Sequence, residues 1–287
     1  MPDNQLQTMQ HTNCNLCGAD RTFPIATQNN YRAVKCVHCG LVYVNPRPSP
    51  EELLRMYNGY HQRDGKNEHA WAKLMEGNFR ETSAFLCKTF PEKGNILDIG
   101  CGYGHFVQIM KNCGWSAAGI EPSSRTIAYA KQKGLNVMAT TIDEAVFHDK
   151  SFDAVTAFYV LEHLFDPLSA LNKIMKILKP GGMLVLRIPH TTPIVKSLDF
   201  LGIKNNLYDL PFHLYDFSPD TIKLMLEKAG FSSIRVVPGR HTSPPGYIER
   251  AVSVISGRLS RIIYSLSFSR ALLPGASKTV IAVKAIV

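Results

Sequence analysis

Between Asn95 and Ile188, short apolar runs alternate with stretches in which apolar residues recur every three or four positions. The runs predict strands at 95–99, 116–120, 135–138, 152–158 and 183–188, and the periodic stretches predict helices near 103–113, 123–133, 143–147 and 167–178. Upstream, Trp71, Leu74, Met75, Phe79, Phe85 and Leu86 predict a longer helix over 68–90. Downstream, Ser218 is a good N-cap with Pro219 behind it for a helix over 219–230, and a strand follows at 232–237. Regular alternation at this spacing argues for an α/β domain whose parallel sheet is covered on both faces. Ligands of such sheets lie outside the carboxyl ends of the strands, where Asp98, Glu121, Asp143 and the segment after Phe158 fall.

The first of these ends is Asp98-Ile99-Gly100-Cys101-Gly102-Tyr103-Gly104. Alternate glycines let backbone approach a ligand closely, and the helix that follows offers unpaired N–H groups with partial positive charge. The spacing differs from the GxGxxG of dinucleotide sites. One strand-helix-strand unit later, the carboxylate of Glu121 suits the two hydroxyls of a ribose. Asp98, the GCGYG loop and Glu121 together resemble motif I and the following acidic motif of class I S-adenosylmethionine-dependent methyltransferases. The likeness continues through 135–190 and 211–231.

That resemblance implies a Rossmann-like seven-stranded methyltransferase sheet, ending in an antiparallel pair that 232–237 and Lys278–Lys284 would supply. It implies that Asp98, Gly100, Cys101, Gly102 and Gly104 hold the amino-acid end of S-adenosyl-L-methionine. Glu121 and Pro122 would hold its ribose, Thr141, Ile142 and Asp143 its adenine, and Tyr159 and Val160 would border the methionyl end. Cys101 is read as a small filler of the loop, and Asp143 has a plainer reading near a helix N-terminus. Tyr159-Val160-Leu161-Glu162-His163 resembles the turn after the fourth strand, and Lys179-Pro180-Gly181-Gly182 the helix stop before the fifth. In the segment His213-Leu214-Tyr215-Asp216-Phe217-Ser218, the resemblance implies a histidine base, which makes His213 the catalytic candidate with His163 or His190 assisting. A purely structural histidine at 163 or 213 stays open as the alternative.

Before this domain, Cys14-x-x-Cys17 and Cys36-x-x-Cys39 form two knuckles eighteen residues apart, each followed by a glycine. The pattern is that of a zinc ribbon with four thiolate ligands. With no open coordination position, such a Zn²⁺ is structural, and it would supply folding free energy that about forty residues can scarcely find otherwise. His11 and His38 are read as surface residues. The prolines at 46, 48 and 50 mark a connector, which predicts a ribbon over 1–46, a connector with helices over 47–92 and the methyltransferase domain over 93–287. The ribbon and its lead-out CGLVYVNPRPSPEELLRMY resemble those of bacterial methyltransferases that act on sugars or secondary metabolites.

Composition narrows the function. The chain has 287 residues, 45% of them hydrophobic, and a formal net charge of +9. Residues 239–287 carry seven cations against Glu249 alone, a net +6. Within them Ile248, Ala251, Val252, Ile255, Leu259, Ile262, Ile263 and Leu266 form a helical stripe with Arg250, Arg258 and Arg261 off it, a basic amphipathic excursion over 247–268. Packing on its own domain, a homodimer interface and peripheral contact with an anionic membrane all suit such a stripe. The scattered cysteines, the lack of a signal-peptide pattern and the lack of an apolar run long enough to span a bilayer point to the cytoplasm, with or without membrane contact. The expected acceptor is a small molecule, a saccharide (free or lipid-linked) or a secondary metabolite. One rival is an RNA methyltransferase that grips its substrate with the ribbon, but residues 1–50 carry only Arg21, Arg32, Lys35 and Arg47 as cations, which argues against nucleic acid. The other is a non-catalytic cofactor-binding scaffold.

Overall fold

The computed structural model describes residues 9–53, 55–56, 68–240, 247–267 and 277–286. The chain opens with β1 (Met9–Gln10), β2 (Thr22–Gln28), β3 (Tyr31–Cys36), β4 (Val42–Val44) and β5 (Arg47–Pro48). A short helix starts at Pro50, where Ser49 Oγ accepts from the Glu52 amide at 3.2 Å. After α1 (Glu68–Thr89) come β6 (Asn95–Ile99), α2 (His105–Asn112), β7 (Ser116–Ile120), α3 (Ser124–Gln132), β8 (Val137–Met138), β9 (Phe152–Phe158), α4 (Pro167–Ile177) and β10 (Leu178–Ile188). Then follow α5 (Thr191–Phe200), β11 (Tyr215–Asp216), α6 (Pro219–Lys228), β12 (Ser232–Pro238), α7 (Tyr247–Leu266) and β13 (Lys278–Val283).

Seven strands form one sheet in the order β12-β13-β10-β9-β6-β7-β8. Strands β8, β7, β6, β9 and β10 run parallel, and β13 lies antiparallel between β10 and β12. This is the Rossmann-like methyltransferase sheet with its antiparallel insertion. Alternation of buried apolar residues on both faces explains it: every residue of β9 is buried except Asp153, and helices cover each side. On one side, α1 presents Phe79 to Phe106 of α2 and Phe158 of β9, with ring centroids 4.8–5.5 Å apart in the three pairs. Ser218 caps α6 as its sequence requires, with Thr221 completing a reciprocal box.

Three local expectations change. No helix forms over 143–147. Glu144 and Thr141 exchange capping hydrogen bonds, but Ala145 and Phe147 then turn inward while Val146 stays 94% exposed, an alternation suited to extended chain. Strand 135–138 shortens to β8, because the Leu135 amide still bonds the Ala130 carbonyl at the end of α3. The Lys179–Gly182 stretch does not separate helix from strand. It forms an irregular start to β10, held by Gly181 and Lys284 backbone bonds.

The ribbon is sewn onto the sheet domain. Its strands form a four-stranded sheet of order β11-β4-β3-β2, in which Tyr215 and Asp216 pair with Tyr43 and Val42. Tyr43 stacks on Tyr215 at 6.4 Å, and Asn15 from the first knuckle bonds Asp166 and the Leu168 amide at the start of α4. Arg47 is buried under Phe165, with its guanidinium 3.6 Å from the ring centroid, and donates to the Phe165 carbonyl and the Tyr215 hydroxyl.

Helix α7 rests on β12 through one face. Ser260 is buried there and Tyr264 Oη donates to the Val236 carbonyl at 2.9 Å. Ile255, Leu259, Ile262 and Leu266 are left 49–75% exposed, so the apolar stripe is only partly used by its own domain. The side chains of Ile248, Arg250, Ala251, Val252 and Arg261, and position 268, lie outside the described residues. No described helix is long and apolar enough to cross a membrane.

Candidate active site

The glycine loop leaves β6 by folding back on β7, with the amides of Gly100 and Cys101 both bonding the Ile120 carbonyl. Gly100 takes φ +69°, and a Cβ there would lie 2.4 Å from Val160 Cγ2, so only glycine fits beneath the turn that follows β9. Gly102, at φ +51°, differs. A Cβ on it would meet nothing within 4 Å, so the space above it is open. Glu121 faces this opening, its two carboxylate oxygens accepting from the Gly102 amide at 3.3 Å and the Ser123 amide at 3.0 Å. Pro122 beside it is exposed. Asp98 is buried below the loop and accepts from Thr156 Oγ1 at 2.7 Å. Burial, reinforced by the charge of Glu121 and only partly offset by Thr156, raises its pKa to about 7. Cys101 is packed over Gly119, and burial pushes its thiol up, which makes it a poor nucleophile. At the next strand end Ile142 is buried, Asp143 is exposed, and Lys173 reaches the carbonyls of both.

After β9 the chain turns sharply. Tyr159 sits at φ +56°, a left-handed conformation that a tyrosine holds only under constraint. Its hydroxyl accepts from Arg187 Nε at 3.0 Å, and Trp71 packs edge-on at 6.5 Å. Tyr159 is therefore clamped between β10 and α1. Residues Leu161–His163 then form one 3-10 turn. The Leu214 amide bonds the Glu162 carbonyl at 2.8 Å, which lays the 211–218 segment across this turn. His163 and His213, fifty positions apart in sequence, thus meet edge to face at 4.7 Å. His163 Nδ1 lies 2.8 Å from the Phe212 carbonyl. Since a carbonyl only accepts, Nδ1 carries a proton and donates it to that carbonyl. Burial lowers the pKa of His213 to about 4, so its imidazole is neutral at physiological pH.

Beside the two imidazoles lies Glu162, a residue to which the sequence pattern assigns no role. Glu162 is fully buried, and its carboxylate, His163 and His213 place ligand atoms within 4.8 Å of one another. The available signal was a carboxylate between Leu161 and His163 in an otherwise apolar turn. His190 is buried at the N-cap of α5, outside this cluster. Asp216, two residues into β11, caps the same helix by accepting from the Thr191 and Thr192 amides. A small cleft next to His213 is lined jointly by Val42, Tyr43 and Val44 of the ribbon and by Thr191, Tyr208 and Leu210.

In the ribbon the four sulfurs of Cys14, Cys17, Cys36 and Cys39 converge, with Cys14–Cys39 at 3.4 Å and Cys17–Cys36 at 3.5 Å. These are too long for disulfides and close to the roughly 3.8 Å edge of a tetrahedron with Zn–S bonds of about 2.3 Å. Burial raises the Cys14 thiol to about 11 and pushes the Cys39 thiol up as well, while at Cys36 the backbone amides of Cys39 and His38 outweigh burial and bring the pKa down to about 7. The arrangement fits a zinc ribbon. His11 and His38 are exposed and outside the cluster.

A sheet of this order, with a glycine loop after its central strand and an acidic residue after the next, defines the S-adenosylmethionine-dependent methyltransferase fold. The model of a methyltransferase-domain family matches residues 69–236, more than half of the chain, and the chain belongs to that family. A ubiquinone biosynthesis O-methyltransferase of Cereibacter sphaeroides is 30% identical over 160 residues, 52% of this chain and 65% of that protein. A protein of the same name from Actinobacillus pleuropneumoniae is 32% identical over 133 residues, 42% of this chain and 57% of its own. The chain therefore spans less than two thirds of the length of these relatives. A SAM-dependent methyltransferase from Archaeoglobus fulgidus superposes with a TM-score of 0.52 at 22% identity, over 75% of this chain and 98% of its own. The plantazolicin methyltransferase in complex with SAH superposes with a TM-score of 0.52 at 17% identity, over 83% and 91% of the two chains.

Proposed function

We propose that the protein transfers the methyl group of S-adenosylmethionine to a hydroxyl of a small-molecule acceptor, a saccharide or secondary metabolite. The observation that carries this is the placement of two imidazoles, His163 and the neutral His213, beside Glu162 in the turn after β9, whose Val160 lies against the glycine loop. The residues present fit the cofactor. The open space above Gly102 accommodates a ligand at the loop, Asp98 lies beneath the loop for an ammonium, and Glu121 offers carboxylate oxygens for ribose hydroxyls. Ile142 and Asp143 would border the adenine. When bound, the cofactor supplies a methyl already activated by its sulfonium, so the protein's tasks are to align an acceptor, exclude water and remove a proton. His163 and His213 are placed for the last of these. The names of the two relatives support oxygen as the accepting atom.

The ribbon's part is structural: Cys14, Cys17, Cys36 and Cys39 would hold Zn²⁺ and so fix β4, the strand that aligns β11. Calorimetry with S-adenosylhomocysteine tests the reading. Binding at one site per chain, weakened at least tenfold by Glu121→Ala, is expected, and no binding by the wild type refutes it. Labelled methyl transfer to fractionated sugar nucleotides, lipid-linked saccharides and RNA then identifies the acceptor class.

A further inference from the structure

Helix α7 is turned the wrong way round for a helix that serves its own domain alone. At about 100° per residue, Ile255, Leu259, Ile262 and Leu266 fall within about 60° of arc, and all four are half to three-quarters exposed. Ser260, which is buried, and Tyr264, whose hydroxyl reaches the Val236 carbonyl, lie roughly 130–170° around the helix from them. A hydroxyl and a phenol therefore face β12, and the apolar seam points outward. An amphipathic surface helix ordinarily does the reverse.

The form of the seam says what covers it. Successive gaps of four, three and four residues are those of alternating d and a positions in a heptad, the narrow stripe that one helix presents to another. Helices that lie in a lipid interface commonly set Trp or Phe in the apolar face, and the stripe of α7 has no aromatic residue. The spacing is also symmetric. When two copies of α7 run antiparallel about a twofold axis between residues 260 and 261, Ile255 meets the second copy's Leu266, and Leu259 meets its Ile262. Every seam residue then has an apolar partner, the self-complementarity that a twofold interface requires. The four side chains offer on the order of 400 Å² per copy, and with the flanking Arg258, Ile263 and Ser265 two copies approach the ~1,200 Å² at which specific interfaces begin.

We propose that α7 is a dimerisation helix, which pairs antiparallel with α7 of a second copy of this chain through Ile255, Leu259, Ile262 and Leu266. Strand β12, on which α7 rests, is the outermost of its sheet, and β6 lies four strands further in, so the pairing is built away from the glycine loop. The formal charge of +9, with a net +6 over residues 239–287, makes two copies repel. Salt screens that repulsion, so the dimer should tighten as ionic strength rises, whereas attachment of the same helix to an anionic surface would weaken.

The test is sedimentation equilibrium of the full chain from about 1 to 100 μM. A reversible monomer–dimer equilibrium is expected, stronger at about 500 mM salt than at about 50 mM. Ile255→Glu and Leu266→Lys, both at exposed positions, should each weaken it by about tenfold or more, because each variant dimer sets a charge against an apolar residue at both ends of the seam. Mixed in equal amounts, the two variants should regain association close to the wild-type value. In the mixed pair the new carboxylate faces the new ammonium, and the other end keeps its Ile–Leu contact. Melting followed by circular dichroism checks that both variants are folded. A wild type that stays monomeric throughout, variants that dimerise as the wild type does, or a mixture no stronger than its components overturns the proposal. So does flotation of a monomeric wild type with vesicles of phosphatidylcholine and phosphatidylserine, which would give the stripe to lipid.

Discussion

Alanine at Gly102 and at Gly104 should do opposite things, although the two glycines lie two residues apart in one loop. Both have positive φ, +51° and +77°, so alanine at either costs about 1–2 kcal/mol in backbone strain. At Gly102 the added Cβ meets no protein atom within 4 Å, so strain is the whole folding cost. A melting temperature lowered by about 2–8 °C would express it. That methyl would instead occupy the space assigned to the cofactor. Overpacking of about 1–3 kcal/mol corresponds to a loss in affinity of roughly 5- to 150-fold. At Gly104 the Cβ would lie 2.5 Å from Leu135 Cδ1 and 3.3 Å from Ala130 Cβ, inside the protein. Strain and overpacking together then cost about 2–5 kcal/mol of stability, with little direct effect on the ligand. Urea midpoints and calorimetry with S-adenosylhomocysteine measure both quantities for both variants. If Gly102→Ala binds S-adenosylhomocysteine within twofold of wild type while losing the expected stability, the open space is not the cofactor's and the reasoning fails.

Other outcomes follow from the same geometry. The pKa of Asp98 rises from 3.8 when unfolded to about 7 in the fold, so the native state binds the extra proton. Stability in the absence of ligand should therefore fall as pH climbs from about 4 to about 7 and level off above, and Asp98→Asn should remove that component of the slope in urea denaturation. Arg47→Met should cost about 1–3 kcal/mol in the same assay, since it removes the buried guanidinium that donates to both the Phe165 carbonyl and the Tyr215 hydroxyl and leaves only the Tyr215 hydroxyl bonded to that carbonyl. If the four cysteines hold Zn²⁺ as proposed, Cys36→Ser should lower the zinc content found by metal analysis and lower the melting temperature of the whole protein, because ribbon and sheet domain share one core.

Much of the fold was legible in local pattern. Strands β6 and β9 coincide with their apolar runs because nearly every residue of each is buried, and β7 coincides although only Gly119 and Ile120 of it are fully buried. The thiolate cluster followed from spacing alone, since two CxxC knuckles have few other uses. The 143–147 stretch failed because its apolar residues suit a period of two as well as of 3.6 over so short a span. The meeting of His163 with His213 was approached only through resemblance. Nothing in the intervening fifty residues announces the bond between the Leu214 amide and the Glu162 carbonyl. Glu162 left only a faint signal for a related reason: a carboxylate in sequence is presumed solvated, and its three-dimensional burial is what makes it unusual.

The pairing of β11 with β4 has a consequence for how the chain is made. The knuckles and strands β2–β4 leave the ribosome first, yet the strand that closes their sheet ends at Asp216, some 170 residues later. Throughout that interval β4 presents an unpaired edge, with Val42, Tyr43 and Val44 awaiting cover. Early metal capture would keep the nascent ribbon compact during this wait, but it would not shield the edge. Translation speed and chaperone supply should therefore govern the soluble yield of this protein more than the stability of its finished fold does.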